Sequence, residues 1–320
     1  MSDLLPPIPD LPAELKGRLD QLPLERLTTP GDLARSLGDV RAARWVAQEA
    51  KRLQKSAGHP AAWRVVTQAG APVGGDEQTA HLVENDFPPD TWRSFLWNDF
   101  AGPAVLEPLR AAQLEVARLR REEPLPDPLR HVGGVDLSYP TPTEAAAAYV
   151  VCDAATGAVV DSLVVRSPVR FPYISGYLGY RELPALLALW DAVGTSGLPV
   201  AEVVLVDGSG LLHPLRAGIA VHFGVAIDHP TVAVAKRKLC GTIDAAPDPG
   251  LAAPLVRQGG ETLGAVVSRH AGSAHPLFVS PGHRVALADA VAIVRGQLTE
   301  HRLPEPTFHA DAISRAAGKG

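Results

Sequence analysis

The chain has 320 residues, 46% of them apolar, a formal charge of −5 and a mean hydropathy of +0.05. That apolar share excludes a wholly disordered chain, and the length allows one large domain or two smaller ones. No apolar run reaches the roughly 18 residues of a membrane span, and the only cysteines, Cys152 and Cys240, are too far apart in sequence to suggest a thiolate metal site or a disulfide framework.

Residues 1–13 (MSDLLPPIPDLPA) read as a proline-rich lead-in of low order, polar enough that no secretory leader is expected and the cytosol is the expected compartment. A mainly helical unit is expected over 14–85. In TTPGDLARSLG, Thr29 can cap a helix whose first turn holds Pro30 and which Gly38 ends. DVRAARWVAQEAKRL is a second helix opened by Asp39, followed by a short strand, WRVVTQ, and a glycine-rich turn. Helix, turn, helix and wing is the order of a small winged helix-turn-helix module. From Arg35 to Arg64 seven basic residues stand against two acidic ones, so a basic stretch lies on an acidic chain. Such a stretch suits phosphate binding and also suits an ordinary solvated helix.

Residues 86–105 read as a connector with Pro88, Pro89 and Pro103, and 106–320 as a second domain that opens with the helix of AVLEPLRAAQLEVARLRREE. HVGGVDLS, AAAAYVVCDA and AVVDSLVVRS are three successive strand candidates. YRELPALLALWDAV has helical periodicity, AEVVLVD is a buried strand, PLRAGIAVHFG a helix and TVAVAK a further strand. TLGAVVSR and PLFVS suggest a late hairpin before the amphipathic helix of RVALADAVAIVRGQLTEH. The pattern predicts an α/β domain with a mixed sheet flanked by helices.

In that layout the chain crosses back through the 180–194 helix and lays the strand ending in Asp207 beside the first strand, which carries Asp136. The junction is a switch point, where crevices open beyond strand ends. Asp136 and Asp207 meet there, and Glu182 can point into the same crevice. Three carboxylates without cysteines or clustered histidines favour Mg²⁺, with Mn²⁺ able to substitute, over Zn²⁺. Taken singly, each acid reads more readily as a turn or helix cap; the specificity lies in the set.

The stretches VGGVDLSYP, FPYISGYLGYRELPALL, VLVDGSGLLHPLRAGIAVHFGV, PTVAVAKRKLCGT, FVSPGHRVAL and RLPEPTFHAD resemble, in order, the motifs of the endonuclease V family. The resemblance spans about 105–312. It implies a ribonuclease H-like fold and a Mg²⁺-dependent nick in DNA or RNA near deaminated adenine, at the second phosphodiester on the 3′ side, leaving 3′-hydroxyl and 5′-phosphate ends. It assigns the metal carboxylates to Asp136, Glu182 and Asp207, a phosphate contact to Lys236, and active-site histidines to His213 and His283. Tyr173 in FPYISG would be a wedge entering the duplex, and Gly176, Leu178, Gly208 and Ile219 would line the pocket for the extruded base. The sequence departs from the family at Ser175, where a second proline is usual, at Ser209, where asparagine or histidine is usual, and at Leu215, where arginine is usual.

The first unit resembles the DNA-binding domain of O6-alkylguanine-DNA alkyltransferases and alkyltransferase-like proteins. Ala42-Ala43-Arg44 matches its arginine finger, which makes Arg44 a DNA-contact candidate, with Arg64 a second. The nucleophilic cysteine of that family falls at Ala62, so alkyl transfer is excluded. Two functions follow as expectations. One is a Mg²⁺-dependent repair endonuclease on DNA, or RNA, with deaminated bases and no membrane partner. The other is a non-catalytic sensor of alkylated or distorted DNA.

Overall fold

The computed structural model describes residues 5–56, 58–270 and 273–318. The chain forms two compact units. The smaller comprises Pro6–Ala111 together with Phe171–Tyr177, and the larger includes Ala112–Arg170 and Leu178–Gly320. Among the described residues no helix is long and apolar enough to cross a membrane.

In the smaller unit, α1 (Leu11–Leu19) is capped by Asp10 and buries Leu11, Leu15 and Leu19 at a four-residue spacing. Of the lead-in, residues 1–4 lie outside the described residues; its end is helical and packed because Leu11 belongs to this stripe. α2 (Pro30–Ser36) starts as expected, with the Thr29 hydroxyl accepting from Asp32 N–H at 3.1 Å, and Gly38 follows it at φ +105°. A short 3₁₀ turn capped by Asp39 leads into α3 (Ala43–Lys55), which buries Trp45, Val46, Ala50 and Leu53. The expected wing strand is reduced to isolated bridges, Thr28 to Val65 and Val66 to Pro72. After α4 (Asp76–Glu84), the expected connector 86–105 is mostly exposed but anchors two aromatic side chains in the core of this unit. Phe87 and Trp92 pack with Leu27, Val66 and Leu82, and the Trp92 indole donates to the Phe87 carbonyl at 2.7 Å. α5 (Glu107–Leu119) runs from one unit into the other.

The larger unit is built on one nine-stranded sheet. β1 (His131–Thr141), β2 (Glu144–Asp153) and β3 (Val159–Pro168) form an antiparallel meander. Helix α6 (Leu178–Ser196) then returns the chain so that β4 (Val203–Asp207) lies parallel to β1 on the side away from β2. After α7 (Ile219–Ile227), β5 (Thr231–Ala235) adds parallel to β4. The antiparallel β6 (Thr242–Asp248), β7 (Ala253–Gln258), β8 (Glu261–Val267) and β9 (Leu277–His283) complete the order 3-2-1-4-5-9-8-7-6. α8 (Leu287–Gly296) and α9 (Glu305–Ala317) close the unit. The expected β8–β9 pair is present; β6, β7 and α9 are additions to the sequence reading.

Alternation along the strands sorts side chains onto two faces. Ala145, Ala147, Tyr149 and Val151 of β2 pack in one cluster with Leu183, Leu186 and Leu189 of α6 and Phe223 of α7. Ala148, Val150 and Cys152 face the other way, against Ala310 and Ile313 of α9. Burial lifts the Cys152 thiol to about 12, which keeps it an unreactive small hydrophobe. α9 lies against β1 at Gly134, where a Cβ would fall 2.3 Å from the Pro306 carbonyl carbon. Replacing this glycine must therefore move helix backbone. Gly134→Ala is expected to cost about 1–3 kcal/mol or more, as overpacking does, read as a lowered thermal midpoint.

Candidate active site

The register sets the geometry. Val135 of β1 is level with Val206 of β4, so the next residues, Asp136 and Asp207, leave the ladder together. Asp207 is in turn level with Val234 of β5, two residues before Lys236. By strand parity Asp136, Asp207 and Lys236 all face the α9 side of the sheet. α9 brings Asp311 near Asp136 and Lys236, with its Oδ1 2.9 Å from Arg315 Nη2. Glu182 comes from α6 on the other face, anchored by the Tyr139 hydroxyl, which donates to its Oε1 at 2.7 Å. The Arg181 guanidinium sits 4.4 Å from the Tyr139 ring centroid and fixes that anchor.

The electrostatics follow from crowding acids in a half-dry crevice. Asp136, 9% exposed, is pushed up to about 8 by burial, by the Asp207 charge and by the nearby Asp311 carboxyl; the Leu137 N–H at 2.7 Å and the Lys236 charge oppose this. Burial, with the Asp207 charge, lifts Glu182 to about 7 against the bond from Tyr139. Burial alone would lower Lys236, but Asp207, Asp136 and Asp311 outweigh it and hold the ammonium charged. Lys236 Nζ donates to Asp207 Oδ2 at 2.5 Å. Acids that titrate this high are a cluster short of positive charge.

All of these donors are hard carboxylate oxygens, with no thiolate or imidazole among them, which fits Mg²⁺ or Mn²⁺. Among the described residues no three His, Cys, Asp or Glu side chains converge at ligating distance. Asp207 accepts from Lys236, Asp136 accepts from Leu137 N–H, and Asp311 is paired with Arg315.

The other expected residues divide. His213, 3% exposed in the loop after β4, has its Nδ1 accepting from Leu215 N–H at 3.2 Å, which puts the proton of the neutral ring on Nε2. Leu215 has no charge to offer a phosphate, and the neighbouring Arg216 is held by Glu261 at 2.8 Å. Gly208 (φ +148°) lies against Ile219 so closely that a Cβ would meet its Cγ2 at 2.4 Å. The Ser209 carbonyl accepts from Ala220 N–H at 3.1 Å and so closes the start of α7. Leu178 is the first residue of α6, after Gly176 at φ +83°. Tyr173 is 64% exposed.

His283 does not join the acids. Antiparallel pairing sets it opposite Thr231, the first residue of β5, whereas Lys236 follows the last. Five residues of strand span roughly 16 Å. There its Nδ1 accepts from Arg121 N–H and its Nε2 meets Asp228 Oδ1, both at 3.2 Å. In the smaller unit Arg44 is exposed on the first turn of α3. Arg64 is turned inward, its Nη1 donating to the carbonyls of Leu22, Pro23 and Arg26, so it ties down a turn and is not free to reach DNA. Asp311, Tyr139 and Arg181 were not singled out from the sequence. Asp311 lies in the quoted stretch RLPEPTFHAD, and its signal was its place on the buried face of a helix.

Asp136 and Asp207 beyond the ends of parallel strands, with Lys236 at the same edge, lie on a mixed-sheet α/β fold of the kind nucleases share, and similarity to known proteins identifies the class. The endonuclease V family model matches residues 113–312. Endonuclease V from Streptomyces avermitilis is 36% identical, with 68% of this chain and 94% of that one covered at a TM-score of 0.60. Human ENDOV is 30% identical, covering 67% and 98%, also at 0.60. Ciona intestinalis endonuclease V, solved with a 24mer DNA containing an inosine followed by a ribo-adenosine, is 25% identical, covering 67% and 97%, at 0.59. The chain belongs to the endonuclease V family.

Acids raised in the folded state carry a proton there that they lose on unfolding at the same pH. Folding is therefore penalised as pH rises from the ordinary carboxylate range near 3.8 toward 8, and the penalty is complete above about 8. The cation-free protein should lose thermal stability across that window. Added Mg²⁺, which competes with the proton, should raise the midpoint more at pH 8.5 than at pH 6, a difference read by thermal unfolding with and without EDTA.

Proposed function

We propose that the larger unit cleaves the DNA backbone beside deaminated bases, chiefly inosine, with Mg²⁺ as its cation and Mn²⁺ as a substitute. The nick falls at the second phosphodiester on the 3′ side and leaves 3′-hydroxyl and 5′-phosphate ends. The observation that carries this reading is the meeting of Asp136, Asp207 and Asp311 with Lys236 at one sheet edge. Membership of the family and the inosine-containing DNA bound to the Ciona relative support it.

Asp136, Asp207 and Asp311 would hold the cation, with Glu182 as the further carboxylate. When bound, it supplies the positive charge that polarises an attacking water and stabilises the departing oxygen. Lys236, paired with Asp207, offers an ammonium within the same crevice that would turn to a non-bridging phosphate oxygen of the substrate. The Nε2–H of His213 is a donor fixed by the Leu215 bond. Tyr139 holds Glu182 in place. Gly208 lets a base approach the backbone beside Ile219. A purely DNA-sensing role gives no reason to keep four acids crowded at this cost.

The smaller unit serves as a duplex-holding module, with Arg44 on the first turn of α3 as a phosphate or groove contact. Arg44→Ala is expected to weaken duplex binding and to reduce the slope of log K against log salt by about one. Arg64→Ala should instead lower the thermal midpoint of the protein.

Asp136→Ala, Asp207→Ala and Asp311→Ala should each abolish nicking of an inosine duplex with Mg²⁺ while binding survives, read by denaturing gel and mobility shift. If the intact protein with Mg²⁺ or Mn²⁺ leaves inosine DNA and inosine RNA uncut, the nuclease reading fails.

A further inference from the structure

The loop Phe171–Tyr177 joins β3 to α6 in sequence, yet it is part of the smaller unit. Its root is buried: Phe171 is 1% exposed, Ile174 2% and Tyr177 fully covered. The Tyr177 hydroxyl donates to Asp39 Oδ2 at 2.6 Å. The same oxygen accepts from Arg41 Nε and Nη2 at 2.9 and 2.6 Å, and the Arg41 guanidinium lies 5.1 Å from the Tyr177 ring centroid. The other oxygen of Asp39 accepts from Arg41 N–H at 2.9 Å and so caps the 3₁₀ turn that opens α3. One carboxylate thus holds the root of the loop and the start of α3 together. Burial alone would raise Asp39, but the bonds from Arg41 and Tyr177 outweigh it and keep the carboxylate ionised.

Two exposed groups flank this lock within the same unit. Tyr173 stands out from the loop between the buried Phe171 and Ile174, and Pro172 restricts the backbone beside it. Arg44 is exposed three residues beyond Arg41. A large aromatic surface held out on a buried root is expensive to leave in water, and it suits stacking against a nucleic-acid base.

We infer that Asp39, Arg41 and Tyr177 are positioning residues that fix the Tyr173 loop to the start of α3, so that a duplex engaged by Arg44 meets Tyr173 in a set register beside the base to be unstacked. The inference rests on the proposed action on damaged bases in duplex DNA. It requires no contact between the three residues and the substrate. Their effect is felt on duplexes, where a base must leave its stack, and not on single strands, where none must.

The test uses the full-length protein with Tyr177→Phe, which keeps the ring for Arg41, and Asp39→Asn, which keeps a competent cap. Each is assayed on one inosine strand, alone and annealed. The ratio of duplex to single-strand cleavage should fall about tenfold, the size of one lost charge-assisted hydrogen bond, with single-strand cleavage retained and the midpoint lowered by no more than a few degrees. In an Asp207→Ala background, 2-aminopurine next to the inosine should brighten when the duplex binds, and Tyr177→Phe should suppress that signal. An unchanged ratio and signal, with wild-type nicking intact, overturns the inference and leaves the nuclease reading standing. Equal loss on both substrates with a lowered midpoint marks a structural role and also overturns it. A wild-type protein that cuts neither substrate removes the underlying reading, and the inference with it.

Discussion

The acid cluster depends on how closely a helix backbone can lie against β1. Gly134 admits the backbone of Pro306 and Thr307 at distances no side chain would allow, and the small side chains of β2 let the following turn settle on the sheet. That approach carries Asp311 to Asp136. Register supplies Asp207, because the parallel β1–β4 pairing makes two strands end in aspartate at one level. Packing of glycine and alanine thus decides where charge collects.

The site is built against its own stability. Burial and the Asp207 charge raise Asp136 and Glu182, and Lys236, Arg181 and Arg315 cover only part of the negative charge. Such an arrangement persists because the surrounding sheet is deeply buried on both faces and holds the acids where free side chains would separate. What makes the crevice unfavourable without a cation is what makes it receptive to one.

Most of the central sheet was legible in the sequence because its strands are apolar enough to announce themselves. β2 and β4 are buried along nearly their whole lengths, and the crossover through α6 follows from their order. The levelling of the strand ends that carry Asp136 and Asp207 follows from that topology, whereas Glu182 comes from the other face of the sheet. α9 was not found, since its buried face is Thr307, Ala310 and Ser314, residues too small and polar to make a hydrophobic stripe. Asp311 was lost with it. His283 was read as an active-site group from a sequence motif, which carries no information on which end of a β-ladder it will occupy. The prolines of 86–105 suggest a linker and do not reveal that Phe87 and Trp92 are buried in a core.

The smaller unit is discontinuous in the chain, and this has a consequence for how the protein is made. Phe171, Ile174 and Tyr177 help to cover that unit, yet they follow its other residues by the whole β1–β3 meander. Domains emerging from the ribosome generally fold in order from the N-terminus. Here the bond between Asp39 and Tyr177 cannot form until synthesis has passed residue 177, when three strands of the next unit already exist. Completion of the first body is thereby tied to the birth of the second.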